Sequence, residues 1–337
     1  MLKRFFVLLF IPFILCSCSR NNVEVINFSS WGSITETQIL SKLINKYEKD
    51  NPNIKINFIH IPQNYFQKIH LLFASSTAPD VIFINNLYLP VYATQLEDLS
   101  NFCDTNSFYP QAINALSYEG KLLAVPRDIS NFVFYYNKNI TGELNPDWTF
   151  NDFEKLITKI KTKNQYSTSY ERDIYWASPY ILTLGYDKGI NFYRNMEGTL
   201  APSPAQVGSS TQAQMFLDEK LGLYLSGRWM FPKIRESAKF PYGIVPFPGT
   251  VTSDASGWAI SKKSKHKEEA LKFVGYLSSK ESMDYFTDTG LIVPARIDSS
   301  EKITEKAFLK AIQKSVSNKT DKNFNKTRDK LNKKLFK

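Results

Sequence analysis

The sequence predicts an α/β fold in which parallel strands alternate with helices. Strand and helix patterns alternate through the first quarter of the chain. The apolar run 81–84 has no polar interruption, which is typical of a strand that is buried on both faces of a parallel sheet. At 337 residues and 43% hydrophobic composition, the chain can form two domains or one large α/β unit, and a mostly disordered chain is excluded.

The first elements follow from the spacing of apolar residues. Residues 23–28 predict a strand, and apolar side chains then recur at helical spacing up to Tyr47. The Asn-Pro-Asn turn at 51–53 ends this helix. Alternation over 54–58 predicts the second strand, and the run 81–84 is the third. The order strand, helix, strand, helix, strand indicates a doubly wound lobe.

The later elements are less regular. Residues 132–136 predict another strand, and Asn151 is predicted to cap the helix that follows, with Glu154 completing a capping box. A further helix is predicted over 268–277. The basic end of the chain, 321–337, is predicted to be a frayed tail.

The N-terminus has the pattern of an export signal. Lys3 and Arg4 precede the apolar run 5–15, which is shorter than the roughly 20 residues that a membrane-spanning helix needs. The sequence Leu-Cys-Ser-Cys that ends at Cys18 resembles the lipobox of bacterial lipoproteins. Residues 1–17 are therefore predicted to be a lipoprotein signal peptide, with Cys18 as the lipidated residue. The protein is expected to be exported and either lipid-anchored to the cell membrane or facing the periplasm. The alternative to a lipoprotein signal is an ordinary cleaved signal peptide without lipidation.

The basic charge is confined to one end of the chain. The net charge is +10, but residues 301–337 alone hold 12 Lys or Arg and 4 Asp or Glu. Residues 19–300 hold 28 basic and 28 acidic side chains, so the body is neutral. A protein-wide nucleic-acid surface is therefore not predicted. The ordinary interpretation of the basic end is a solvated helical face.

No familiar catalytic or metal motif occurs in the sequence. The three histidines are scattered, and HExxH, CxxC, Gly-x-Ser-x-Gly and Gly-rich phosphate-binding patterns are missing. No cofactor, no metal site and no enzymatic activity are expected. A glycan-cleaving enzyme needs two carboxylates placed across a glycosidic bond, and nothing in the sequence selects such a pair.

Seven short motifs occur along the chain and together cover most of 23–298. They lie at 28–32, 47–56, 73–81, 120–128 with 135–138, 148–150, 226–229 with 243–248, and 256–261 with 294–296. Each motif is weak alone, but their order resembles that of the sugar-type extracellular solute-binding proteins (family 1) of ABC importers. Two departures from the family pattern are Thr77, where glycine is usual, and a segment at 164–212 that looks shortened.

The resemblance implies a two-lobe periplasmic-binding-protein-like α/β fold with a hinged interlobe cleft. The ligand binds between the lobes, the hinge closes over it, and the membrane permease recognises the closed form. The chain is expected to cross between lobes near 127–130, 254–257 and 296–299. The implied division is 23–126 plus 257–298 for lobe one, 127–256 plus about 299–320 for lobe two, and 321–337 for the basic frayed tail.

The predicted ligand site combines aromatic rings with polar groups. Sugars present C–H faces that stack on rings, and hydroxyls that need hydrogen-bond partners. Open α/β sheets bind ligands beyond the carboxyl ends of their strands, and this rule selects the first four candidates. The candidates are Trp31, Tyr65, Asn85, Asn86, Arg127, Asp128, Ser130, Asn131, Trp176, Tyr180, Arg228, Trp229, Gly257 and Trp258.

Several of these residues have an alternative interpretation. Trp258 is equally consistent with packing, and Trp148, which begins a helix, favours packing. Arg127 and Asp128 can simply pair with each other. If Arg228 faces the cleft, it favours an anionic ligand such as a sugar phosphate, whereas a solvated arginine would not.

The predicted function is a lipid-anchored substrate-binding component of an ABC importer. It is expected to capture a carbohydrate or related polyol, either neutral or phosphorylated, between its two lobes by hinge closure and to deliver it to the permease. The expected partners are this small molecule, the permease subunits and the membrane, and the chain is expected to be a monomer. The alternative is a surface lipoprotein that uses the same fold to bind a host or envelope partner without transport.

Overall fold

The computed structural model describes residues 23–163 and 165–336. The predicted signal peptide and the predicted lipidation of Cys18 lie outside the described residues. Within the described part of the chain, no helix has the length and apolar character needed to cross a membrane.

Eleven strands form the sheets of the described structure. They are β1 (Glu24–Ser30), β2 (Ile54–His60), β3 (Val81–Asn85), β4 (Ser117–Tyr118), β5 (Lys121–Leu122), β6 (Val125–Ser130), β7 (Val133–Asn137), β8 (Leu223–Ser226), β9 (Tyr242–Pro246), β10 (Val251–Ile260) and β11 (Ser315–Ser317).

Sixteen α-helices accompany these strands in the described residues. They are α1 (Ile34–Asp50), α2 (Tyr65–Ala74), α3 (Leu89–Tyr92), α4 (Pro110–Ala115), α5 (Lys138–Thr141), α6 (Phe150–Lys159), α7 (Ile174–Leu184), α8 (Tyr186–Asn195), α9 (Pro204–Val207), α10 (Gln212–Leu217), α11 (Phe231–Ser237), α12 (Lys267–Leu277), α13 (Lys280–Asp288), α14 (Ile297–Ser300), α15 (Lys306–Gln313) and α16 (Phe324–Leu335).

The first lobe is built on a six-stranded sheet. Its order is β11-β10-β3-β1-β2, and β6 pairs with β10 off this path. Strands β1, β2 and β3 run parallel, and β10 runs antiparallel to β3. The apolar stripe of α1, from Ile39 to Tyr47, is buried, and α1 packs beside α12 and α13. This arrangement confirms the α/β class that the alternating pattern predicted.

The second lobe is built on the antiparallel sheet β8-β7-β9. Successive residues of β7 point to opposite faces, so the two sides bury different clusters. Val133 and Tyr135 belong to one hydrophobic cluster, which also contains Phe308 of α15. Phe134 and Tyr136 belong to the other, which they share with residues of α6, α7 and α8.

The lobes are joined by strands that pass from one sheet to the next. Strand β6 ends at Ser130 and β7 begins at Val133, so one crossing is only two residues long. Strand β10 returns antiparallel to β6, with Asp254 opposite Ser130. A third segment lies against the same place, because the Ile129 amide donates to the Val293 carbonyl at 3.0 Å.

The helix that follows Trp148 begins differently from the prediction. Thr149 is the N-cap, and its hydroxyl accepts from the Asp152 amide at 3.2 Å. The Asp152 carboxylate accepts from the Thr149 amide at 2.9 Å, which completes a capping box. Asn151 already lies inside helix α6, so the predicted Asn151–Glu154 box is corrected by two residues.

Residues 324–335 form a docked helix, α16, where the sequence predicted part of a frayed tail over 321–337. Arg328 of α16 forms hydrogen bonds of 2.9 and 2.6 Å with the two carboxylate oxygens of Asp173. The Asn332 side-chain oxygen accepts from the Ile174 amide at 2.8 Å, and Phe336 packs on the second-lobe core. The segment is ordered because its apolar and pairing residues recur at helical spacing on one side of the helix.

Replacing Gly257 by alanine is expected to lower the free energy of unfolding by about 1–3 kcal/mol. A Cβ at this position would lie 2.2 Å from the Val125 carbonyl oxygen, and neither backbone can move without disturbing the β6–β10 pairing. Urea denaturation measures the change. Gly275→Ala in α12 is the matched control, because its Cβ would meet only Phe102 at 3.4 Å. Equal stability of the two variants would contradict the expectation.

Candidate functional site

A cleft of about 300 Å³ opens between the two lobes, at the carboxyl ends of β1 and β3 and beside the crossing strands. Its walls come from both lobes and from the crossing strands. Of the candidates predicted from the sequence, the lining includes Trp31, Asn85, Asn86, Arg127, Asp128, Ser130, Arg228 and Trp229.

Three predicted ring residues lie in the protein interior instead of the cleft. Tyr65 is buried and its hydroxyl bonds to Ser29, at 3.1 Å from the side-chain oxygen. Trp258 is buried between lobe-one rings, with its centroid 5.3 Å from that of Phe28. Tyr180 is buried in the second-lobe core. These placements correct the prediction that the three rings contact the ligand. A large aromatic ring is as well suited to packing in a core as to stacking on a sugar.

Three further candidates lie near the crossing strands or on α7 but do not line the cleft. Asn131 is buried and donates to the Phe308 carbonyl at 3.4 Å. Trp176 packs on Phe132, with ring centroids 4.9 Å apart. Gly257 serves the close pairing of β10 with β6, as described above. They lie outside the cleft lining, and their contact with a ligand stays a prediction.

Arg127 is the charged centre of the cleft floor. Its Nε donates to Asp128 at 2.6 Å, and its Nη1 donates to the Glu36 carboxylate. The guanidinium carbon lies 4.8 Å from the ring centroid of Phe83, a cation–π distance. Burial acts to lower the Arg127 pKa, but the two neighbouring carboxylates outweigh it and raise the pKa above its usual value. The guanidinium therefore stays charged and is neutralised by protein groups.

The glycine of the first motif makes room for this ion pair. Gly32 has φ +135°, which L side chains rarely adopt. A Cβ there would lie 2.4 Å from a carboxylate oxygen of Glu36. Glu36 stands in the first turn of α1, which Ser33 caps through a 3.3 Å bond from the Glu36 amide. Gly32 thus allows Glu36 to fold back toward Arg127.

Two tryptophans offer ring surface to the cleft from opposite lobes. Trp31 is 41% exposed and stacks on Phe83, with ring centroids 5.6 Å apart. Trp229 is 40% exposed, and its ring lies against Gly227, where a Cβ would come within 1.8 Å of it. Each ring is supported on one side by its own lobe and leaves accessible surface that a ligand can contact.

The two terminal nitrogens of the Arg228 guanidinium are engaged by other groups of the protein. Its Nη1 donates to the carbonyls of Thr287, at 3.4 Å, and of Ile292. Its Nη2 lies 3.6 Å from the Glu305 carboxylate. Burial is the main cause that lowers the Arg228 pKa. Thr287 lies in the lobe-one helix α13, and Ile292 follows that helix. The Arg228 side chain therefore extends from the second lobe to the first and links them.

A buried carboxylate, Asp254, forms the polar end of the cleft. It accepts from the Tyr175 hydroxyl, from the Asn86 amide at 2.8 Å and from the Asn318 amide at 2.9 Å. Burial raises the pKa of Asp254, against the effect of these three donors. Arg328 lies 5.2 Å from the Tyr175 ring centroid, so the C-terminal segment supports this network from behind.

The pH dependence of stability is expected to differ between the native chain and Asp254→Asn. An acid whose pKa is raised by folding stabilises the native state below its unfolded pKa, near 4, and this contribution is lost as the pH rises through the folded pKa. The native chain should therefore gain stability relative to Asp254→Asn when the pH is lowered from neutral to below about 4. Denaturation at several pH values measures the difference. If the difference in stability between the two proteins does not change with pH, the Asp254 carboxyl does not have a raised pKa in the folded protein.

Sequence reasoning missed several residues of the cleft. Glu36 lies in a helix whose polar residues look solvated, and only the fold brings it to Arg127. Tyr175 lies one residue before the predicted Trp176. Asp254 lies in the predicted crossing at 254–257, and Ser256 lies there too and begins the last motif. Their positions in the sequence could therefore have indicated that they line the cleft.

The fold and the cleft define a class of protein: a two-lobe α/β binding protein with its candidate site between the lobes. The family model described as "Bacterial extracellular solute-binding protein" matches residues 31–284, about three quarters of the chain. The chain therefore belongs to the bacterial extracellular solute-binding protein family.

Similar proteins agree with this assignment. The maltodextrin-binding protein MdxE of Bacillus subtilis is 26% identical over 320 residues, covering 81% of this chain and 74% of that protein. The multiple sugar-binding protein of Streptococcus mutans is 25% identical over 304 residues, covering 74% and 70%. The structure of the ABC substrate-binding protein Lmo0181 from Listeria monocytogenes, in complex with cycloalternan, has a TM-score of 0.81 at 22% identity, covering 93% and 92%.

Proposed function

We propose that this protein binds a neutral carbohydrate or related polyol between its lobes and delivers it to the permease of an ABC importer. The observation that carries the proposal is the pair of half-exposed rings, Trp31 and Trp229, on opposite lobes of a cleft of about 300 Å³. Sugar rings stack on such surfaces through their C–H faces. The maltodextrin-binding and multiple sugar-binding relatives support this substrate class.

The polar groups between the rings suit hydroxyls. Asn85 and Ser130 line the cleft beside the carboxylates of Asp128 and Asp254. Carboxylate and amide oxygens accept hydrogen bonds from sugar hydroxyls, and amide and hydroxyl groups also donate. A polyol that occupies the cleft therefore finds both hydrogen-bond donors and acceptors, on β3 and on the crossing strands.

The charges favour a neutral ligand over a phosphorylated one. Both arginines of the cleft are already engaged, Arg127 by two carboxylates and Arg228 by carbonyls and Glu305. An anionic ligand would face the carboxylates of Glu36, Asp128 and Asp254 without an uncommitted cation among the described lining residues. Like charges in a partly buried site cost free energy.

Ligand capture follows from contact with both lobes. A guest held by Trp31 and Trp229 together has higher affinity for the closed arrangement, and this difference shifts the population toward closure. The crossing strands and the segments beside them connect the lobes and can act as the hinge. The closed form is then the signal that the permease recognises.

Titration calorimetry with a panel of neutral mono- and oligosaccharides tests the proposal. At least one member is expected to bind with a micromolar dissociation constant, about −8 kcal/mol. Its phosphorylated counterpart is expected to bind more weakly. Tight binding of the phosphorylated sugar alone would refute the neutral-ligand proposal, and no binding across a wide panel would refute the carbohydrate proposal.

We also propose that the protein is held at the membrane through a lipid on Cys18, as the lipobox-like sequence suggests. Fractionation of cells that produce the native chain or Cys18→Ala tests this. After a high-salt wash that removes electrostatically bound protein, the native chain is expected to stay in the membrane fraction and the variant to be released. Equal distribution of the two proteins would exclude the lipid anchor.

A further inference from the structure

Helix α16 carries a row of lysines on its outer side. Successive residues of a helix are rotated by about 100°, so positions four, seven and eight apart share a face. All four lysines are exposed. We call this row the lysine face, and its members are Lys326, Lys330, Lys333 and Lys334.

The opposite side of α16 is fixed to the second lobe. Phe324, Arg328 and Leu335 are half-buried there, and Arg328 pairs with Asp173 at the start of α7. Asn332 accepts from the Ile174 amide on the same side. The helix therefore cannot rotate its lysines inward without losing these contacts, and the lysine face is a permanent outer surface.

The lysine face carries a net positive charge, because its one acidic neighbour within α16 offsets at most one of the four lysines. No ion pair involves any of its four ammonium groups among the residues 23–163 and 165–336, whereas Lys310 of α15 and Arg328 of α16 each have a carboxylate partner. Asp329 is the single acidic residue within α16. Residues 301–337 hold 12 basic and 4 acidic side chains, while residues 19–300 are neutral. The excess positive charge of the protein is therefore concentrated in residues 301–337, and α16 carries five of these basic side chains and one acidic one.

The chemistry of this face favours a diffuse anionic surface as its partner. Lysine is a flexible point charge, whereas arginine is the usual residue for bidentate recognition of single phosphates or carboxylates. The row contains neither arginine nor an aromatic or apolar residue that would specify a shaped protein partner. Clusters of lysines on a helix are typical of contact with anionic lipid headgroups.

We propose that the lysine face docks the second lobe on an anionic lipid bilayer. The inference takes from the proposed function only the tether at Cys18, which would keep the protein beside that surface. A lipid and a polybasic patch together hold a protein at a membrane more firmly than either alone. Each lysine near such a surface strengthens binding roughly fivefold, so the four together contribute about several hundred-fold.

Vesicle co-sedimentation of the unlipidated chain beginning at Ser19 tests the proposal. The vesicles are phosphatidylcholine alone or mixed with phosphatidylglycerol. Binding is expected only to the mixed vesicles and is expected to weaken steeply with salt. The variant with Lys326→Gln, Lys330→Gln, Lys333→Gln and Lys334→Gln should bind at least about 100-fold more weakly.

A matched control removes the same charge from lobe one: Lys262→Gln, Lys263→Gln, Lys265→Gln and Lys267→Gln. This control should retain most of the vesicle binding, and both variants should keep the native unfolding transition and any sugar affinity. Equal loss in the two variants would overturn the proposal, because net charge alone would then explain the binding. Absence of binding to anionic vesicles at low salt would also overturn it and would favour an acidic protein as the partner. Sugar titration is independent of both results, so failure here is distinct from failure of the proposed function.

Discussion

Replacing Arg127 by methionine is expected to lower the free energy of unfolding by about 3–5 kcal/mol. Methionine fills a similar volume beside Phe83, but it leaves the carboxylates of Glu36 and Asp128 buried without their cation. An uncompensated buried charge costs far more than the pair itself contributes. Chemical denaturation monitored by circular dichroism measures the loss.

Two controls separate this effect from the general loss of an arginine. Arg172 pairs with Glu197 at 2.6 Å in a more exposed position, so Arg172→Met should cost less than about 1 kcal/mol. Adding Glu36→Gln to Arg127→Met removes one of the stranded carboxylates and should restore part of the stability. A loss below about 1 kcal/mol for Arg127→Met, or no restoration, would contradict the assigned role of this ion pair.

Replacing Trp229 by alanine is expected to weaken ligand binding by about 10- to 100-fold, or about 1.4–2.8 kcal/mol. The substitution removes the ring that the second lobe offers to the cleft, and Trp31→Ala should have a similar effect from the first lobe. Titration calorimetry with the best sugar of the panel measures both. Trp229→Phe retains a smaller stacking surface and should lose less affinity than Trp229→Ala.

An exposed aromatic residue outside the cleft provides the control for this series. Tyr186, at the start of α8, is 50% exposed, and Tyr186→Ala should leave the affinity unchanged. If Trp31→Ala and Trp229→Ala both bind with native affinity, the ligand does not lie between these rings. If only one of the two substitutions weakens binding, the ligand contacts the ring of one lobe alone. Ligand binding would then no longer favour the closed arrangement of the lobes.

The sequence predicted the fold where the pattern is local. The run 81–84 became β3, buried as expected, and the helical spacing up to Tyr47 became the buried face of α1. Trp31 and Trp229 were found because each stands in a short motif of the family. The strand pattern and the motifs both depend only on residues that are neighbours in the sequence. These elements and residues could therefore be predicted without knowing which distant segments are in contact.

The remaining site residues depend on directions that a linear pattern does not contain. Tyr175 lines the cleft while its neighbour Trp176 does not, since one residue along a helix rotates a side chain by about 100°. Glu36 meets Arg127 across 91 positions of the sequence. Trp258 lies on a strand that reaches the cleft, but strand alternation turns its ring into the core.

The docking of the C-terminal helix α16 also could not be predicted from a linear pattern. Its lysine-rich composition indicated a solvated tail, and composition alone does not reveal that Arg328 and Asn332 share a face. Their partners, Asp173 and Ile174, lie at the beginning of α7, more than 150 positions earlier. A pairing over that separation is visible only once both helices are placed.

A crystal structure of the protein with the tightest-binding sugar of the panel would show where the ligand lies. We expect one sugar molecule between the lobes, in contact with the rings of Trp31 and Trp229 together. Its hydroxyls are expected to bond to groups on the crossing strands, including Asp128. A sugar bound to one lobe alone, or at a place outside this cleft, would refute the proposed mode of binding.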